Sequence, residues 1–164
     1  MRRQTLVSAA IIALLAAPNA ASAADKAVGP LKVLEGRWTI SLSSGQRLFL
    51  ANTCAALAKA FVCEQVVDGS PAALVVYSPI PGSPNAYKTL AADYSAATAG
   101  PWSRLTIEGP RWVYQSAVME DGHAVYRRTT NDFDGPNHIR LTQERSADGK
   151  TWETTLSGEE TRTR

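Results

Sequence analysis

The chain has 164 residues, 45% of them hydrophobic and 20% charged, with 17 lysines and arginines against 15 aspartates and glutamates. That is length enough for one domain with a sizeable core, and the composition is that of a folded globular protein. Two cysteines and a formal charge of +2 exclude a disulfide-dense miniprotein and argue against a basic nucleic-acid-binding surface.

The first segment reads as an address. Arg2 and Arg3 give a positive start, residues 6–17 form an uncharged apolar run, and Ala21-Ser22-Ala23 is the small-x-small pattern of a signal-peptidase site. A membrane-spanning helix needs about 20 apolar residues, so this run is too short for one. The expectation is a secretory leader over 1–23 and a single periplasmic domain over 24–164, with no membrane span after cleavage. Loss of the leader removes two arginines and leaves fifteen basic against fifteen acidic residues. A neutral chain exerts little long-range pull on charged partners, and nucleic acid is not expected among them.

A short helical turn is predicted over 29–35, followed by a first strand over 36–43. Cys54 and Cys63 come next, and export favours pairing them. Were 54–63 helical, their Cα atoms would lie about 13 Å apart, whereas a disulfide needs roughly 4.4–6.8 Å. Opposite positions of an antiparallel hairpin lie about 4.5–5.5 Å apart. The spacing therefore predicts strands over 46–54 and 60–67, clipped at the loop end. The Ala-rich stretch 55–60 is the other segment that could be helical. A redox or metal role for the pair is disfavoured, because the spacing is not C-x-x-C and no histidine lies nearby.

Turn signals then recur, mostly at intervals of one strand plus one turn. They include Asp68-Gly69, Pro81-Gly82, Gly109-Pro110, Asp121-Gly122, Asp134-Gly135 and Asp148-Gly149. Asp-Gly between β-prone runs is a strong hairpin signal. The loosest stretch, 78–101, is rich in Pro, Gly, Ser and Ala and is expected to hold a long loop or an irregular strand pair. The last strand falls over 151–162. About ten strands joined by tight turns predict an all-β, antiparallel up-and-down barrel, because closure removes exposed edges. Ten strands leave more interior room than eight.

The hairpin 111–131 is the best guide to what such an interior holds. A two-residue turn at Asp121-Gly122 sets Trp112, Tyr114, Ser116 and Val118 opposite Asn131, Thr129, Arg127 and Val125. This mixed face suits a pocket with aromatic walls and a few polar groups, so Trp112, Tyr114 and Arg127 are the candidate ligand-binding residues. A dry core suits it less, since a buried arginine needs a partner, although pairing with a barrel carboxylate would supply one. If the faces are swapped, the candidates become Tyr126 and Arg128.

Catalytic chemistry is not evident. There is no nucleophile elbow and no phosphate-binding loop. Glu64, Asp93, Glu108 and Glu144 are scattered over separate strands, and Asp132-x-Asp134-Gly135 lacks the last glutamate of a calcium loop. Neither His123 nor His138 sits in a metal-binding spacing. His138 shares a strand face with Arg140 and Thr142, while Ile139 and Leu141 take the other, which directs His138 outward. No catalytic residue, metal or cofactor is expected.

Leu34-Glu35-Gly36-Arg37-Trp38 resembles the opening motif of the lipocalin and calycin barrels. More of the chain, through Phe61-Val62-Cys63-Glu64-Gln65, Leu74-Val75-Val76-Tyr77, Tyr126-Arg127-Arg128 and the 146–153 segment, is similar to a bacterial family of small exported lipocalin-like barrels of unknown function. The resemblance implies that Gly36 turns the chain into the barrel and that Trp38 plugs its closed end. It also implies a late arginine, Arg162 or Arg164, packed over Trp38. Nitrobindin-type haem barrels are relatives in shape, but Thr39-Ile40-Ser41 stands where their longer glycine motif would continue. What the resemblance implies is non-covalent binding of a small apolar or amphipathic molecule. The alternatives are a filled-core interaction module acting through its outer surface or the 78–101 loop, a haem-binding barrel using His138, and a cryptic enzyme.

Overall fold

A computed structural model describes residues 28–96 and 99–163. The leader over 1–23 and Arg164 lie outside the described residues. Gly29–Leu34 form a 3-10 turn, and ten strands follow: β1 (Gly36–Leu42), β2 (Arg47–Leu57), β3 (Ala60–Val67), β4 (Ser70–Pro79), β5 (Ala86–Asp93), β6 (Ser103–Glu108), β7 (Arg111–Glu120), β8 (His123–Phe133), β9 (His138–Ser146) and β10 (Glu153–Thr163). Each strand pairs antiparallel with the next, and β10 returns to β1 to close the barrel. Every ladder is thus local in sequence except the β1–β10 seam.

The turns explain the meander. Asp68-Gly69 and Asp121-Gly122 both take positive φ, at 49° and 81° and at 50° and 80°. Two successive left-handed residues are what a tight turn needs to match the twist of its flanking strands.

Cys54 faces Cys63 across β2 and β3, and the two are disulfide-bonded with Cα atoms 4.1 Å apart. The Ala-rich stretch after Cys54 is neither loop nor helix. Pairing continues to Leu57 opposite Ala60, which leaves a two-residue turn. Cross-strand hydrogen bonds satisfy this backbone, and the disulfide fixes its register, so alanine's helix propensity is overridden. The clip therefore sits within the hairpin rather than at its loop end. The stretch 78–101 likewise contains a full strand, β5, whose Ala86, Tyr87 and Thr89 are buried.

Alternation along each strand divides the wall into an inner and an outer face. At one end of the barrel the inner face is largely apolar, with Asn52 and Asn131 buried among the apolar side chains. Phe61, Cys63, Tyr77, Tyr87, Leu105, Ile107 and Trp112 form one core with Val28, Leu31 and Leu34 from the N-terminal turn. That turn plugs this end, where β1 begins and β10 finishes. Leu34 and Leu31 are buried in the plug, and the Leu34 carbonyl accepts from Trp38 Nε1 at 3.2 Å and Asn52 Nδ2 at 3.0 Å. Arg162 fastens the plug from β10, donating to the carbonyls of Val33 and Glu35 at 2.5 Å each. Among the described residues, no helix is long and apolar enough to cross a membrane.

Candidate functional site

The inward face of β7 and β8 follows from burial. Trp112 pairs with Asn131, Tyr114 with Thr129, Ser116 with Arg127 and Val118 with Val125. Trp112, Asn131 and Val125 are buried, so this face points into the barrel, and Tyr126 and Arg128 point out. The three candidate ligand residues share that face at three different depths. Trp112 is packed into the plug-end core, its ring centroid 4.7 Å from that of Phe133. Tyr114 sits midway. Arg127 lies at the far rim, where the side chain is 59% exposed.

Between Tyr114 and that rim lies a cavity of about 450 Å³. Tyr114, Ser116, Thr129 and Gln143 contribute to its wall, and Glu120, Arg127 and Arg145 surround the opening. Glu120 holds both arginines, accepting from Arg127 Nη2 at 2.5 Å and from Arg145 Nη2 at 2.7 Å. The inner arginine is therefore paired with a barrel carboxylate, at the solvent-exposed mouth rather than in the core.

Below the cavity the interior becomes less polar but retains ionisable groups, among them Tyr77, Tyr114 and Glu160. The hydroxyls of Tyr77 and Tyr114 lie close enough to shift each other's ionisation. Burial pushes the Tyr77 phenol up to about 12 and raises Tyr114 well above the usual tyrosine value. Glu160 of β10 sits on the inner face, opposite Ile40 on one side and Ile139 on the other. It is close enough to both tyrosines to act on them electrostatically. Desolvation pushes its carboxyl up to about 7, although part of its surface stays open to solvent. No hydrogen bond or ion pair to Glu160 occurs among the described residues. The sequence reading missed this residue. The signal available was Glu159-Glu160 on an alternating strand, where one of two adjacent carboxylates must face inward.

The remaining chemistry-bearing residues stay apart. His138 points outward, its Nε2 3.6 Å from Glu159 Oε2, and His123 is exposed at the start of β8. Glu144 is engaged outside the barrel by Arg128, with bonds of 2.6 and 2.9 Å. Glu64, Asp93 and Glu108 remain on β3, β5 and β6. No group of three or more His, Cys, Asp or Glu side chains among the described residues could hold a metal ion.

No family model matches the chain, and no curated protein does. Solved structures with a similar overall shape include Rv2717c from M. tuberculosis, 13% identical, with 84% of this chain and 98% of that chain covered at a TM-score of 0.48. Another is EF1p2_mFAP2b bound to DFHBI, 10% identical, with 85% and 98% covered at a TM-score of 0.32. Both are loose overlays, and what either holds does not carry over to this chain.

Proposed function

We propose that this chain is an exported, non-enzymatic barrel that binds one small amphipathic molecule at its open end. The observation that carries the reading is the division of the interior. Apolar side chains fill the plugged end, while the other end holds a cavity of about 450 Å³ with polar walls. Small-molecule sites combine apolar contact with a few placed polar groups. Here the Tyr114 ring supplies the apolar surface, and Ser116, Thr129 and Gln143 supply donors and acceptors. Arg127 and Arg145, already aligned by Glu120, would receive an acidic or acceptor-rich head group.

Export is supported by the leader pattern over 1–23 and by the Cys54–Cys63 disulfide, which persists in an oxidising compartment such as the periplasm. The reading needs neither metal nor cofactor. The cavity favours it over a filled-core interaction module.

Native mass spectrometry of the protein purified from its own periplasm tests the proposal. The expected result is a reproducible extra mass that is lost on denaturation and absent from the Arg127→Ala, Arg145→Ala double variant. A bare mass, with no uptake after incubation with a small-molecule extract of the same cells, would sink it.

A further inference from the structure

The barrel wall is interrupted beside the cavity. The β6–β7 ladder stops at Arg104 opposite Gln115, yet β7 runs on to Glu120. On its other edge, β6 pairs with β5 only as far as Ser103 opposite Thr89. Residues 116–120 therefore have β8 on one side and no β6 partner on the other. Ser103 and Ser116, at the end of the ladder, line both the interior cavity and a second depression on the outer wall.

That outer groove has a volume of about 640 Å³. Trp102, Tyr126 and Trp152 line it together with Lys88, Arg104 and Lys150. Trp102 is 46% exposed, a large apolar area to leave in water. Each indole carries a cation over one face. Lys88 Nζ is 4.3 Å from the Trp102 centroid, and Arg128 Cζ is 4.2 Å from that of Trp152.

The groove is built before anything binds. Arg128 is held by its two bonds to Glu144, which fixes the surface under Trp152. The segment between β9 and β10 is folded around Asp148, whose carboxylate accepts from the backbone N–H groups of Lys150 and Thr151 at 2.8 Å each and from Ser146 Oγ at 2.9 Å. Asp148 is the one acid among the lining residues, and its oxygens are committed to that turn. The Tyr126 ring lies against Gly149, where a Cβ would stand 3.6 Å from it. Three aromatic rings and three cations therefore face a groove without a free anion.

We propose that this groove is a second ligand site, separate from the mouth, that takes a small aromatic acid. Its ring stacks on Trp102 and Trp152, and its carboxylate or sulfonate is received by Lys88, Arg104 and Lys150. Offset aromatic stacking and charge-assisted hydrogen bonds each add specificity, and a ring bearing an anion satisfies both at once. The proposal rests on the groove alone and stands whether or not the cavity is occupied.

Isothermal titration with naphthalene-2-sulfonate, and with uncharged naphthalene-2-methanol as its control, tests it. The sulfonate is expected to bind the full mature protein more tightly than the alcohol. Trp102→Ala should weaken it about tenfold, the scale of one lost aromatic contact. The exposed pair Lys88→Glu and Arg104→Glu should weaken the sulfonate by about tenfold or more and abolish its advantage over the alcohol. These surface changes leave the core untouched, and the circular dichroism spectrum checks the fold. Sulfonate binding that is absent, or unaltered by both variants, overturns the proposal. So does binding lost instead in the Arg127→Ala, Arg145→Ala variant, which would place the sulfonate in the mouth. Tighter binding of tri-galacturonate than of the sulfonate would also overturn it, in favour of an acidic glycan.

Discussion

Arg162 lies over the ring of Trp38, its guanidinium carbon 4.3 Å from the ring centroid, and the two residues face each other across the seam that closes the barrel. The same guanidinium reaches the carbonyls of Val33 and Glu35, so one side chain ties ring, plug and seam together. Gly36 has φ +120°, and a Cβ there would come within 2.5 Å of Arg162 Nη1. The glycine two residues before the tryptophan thus leaves space through which the arginine passes. Cation–π contacts contribute about 0.5–2 kcal/mol and hydrogen bonds about 0.5–1.5 kcal/mol each, so Arg162→Ala should lower stability by about 2–4 kcal/mol. Gly36→Ala should also destabilise, through strain and the displaced guanidinium. Urea unfolding measures both, and an unchanged midpoint in Arg162→Ala would show that the plug does not depend on this contact.

The Cys54–Cys63 bridge closes a short loop, with a sequence separation of 9. In the chain-entropy account such a loop contributes about 2–3 kcal/mol. Reduction, or the Cys54→Ser, Cys63→Ser double variant, should lower the unfolding free energy measured in urea by that amount and leave the β-sheet circular dichroism in place. Complete unfolding on reduction would show that the barrel depends on the bridge for more than its entropy.

Glu160 makes stability depend on pH. Its folded-state value of about 7 is above the ordinary 4.5, so between those values the folded chain holds a proton that the unfolded chain has released. The stabilising effect of that proton is complete below about pH 4.5 and is lost as pH rises through 7, a change of about 1–3 kcal/mol. Glu160→Gln, which keeps a neutral polar side chain in place, should flatten this slope. Unfolding midpoints at several pH values from 4.5 to 8 would settle the matter, and parallel profiles for the two proteins would refute the assignment.

Glu120 aligns Arg127 and Arg145 but contributes little to the fold, because both arginine side chains are more than half exposed. Exposed pairs are worth about 0–1 kcal/mol, so Glu120→Gln should leave the melting temperature nearly unchanged. It frees two guanidinium groups at the mouth and should tighten the uptake of an acidic ligand several-fold. A large loss of stability in this variant would show that the ion pairs hold the rim together.

The parts of the structure legible in the sequence are those that neighbouring residues determine. Asp121-Gly122 sets the β7–β8 register by its own backbone preference, and the spacing of Cys54 and Cys63 excludes a continuous helix and fits a hairpin. Alternation showed which residues share a face but not how deep each lies. Trp112 and Arg127 share the inner face, yet one is in the core and the other in water, since depth depends on where the plug sits. The Glu160–Tyr77–Tyr114 cluster is assembled from β10, β4 and β7, so no local window contains it. Trp102 and Trp152 come together for the same reason, each lying just before a strand on a different part of the wall.

The seam between β1 and β10 also governs how the barrel forms and how it fails. Every other ladder grows outward from a nearby turn, whereas this one joins Arg37 to Thr163 at opposite ends of the domain. Its chain-closure entropy is the largest of the ten, which makes it the last ladder to zip during folding. A nick that released β10 would therefore do more than shorten the chain. It would uncover the borders of β1 and β9 together and turn a closed barrel into an open sheet able to recruit other copies of itself.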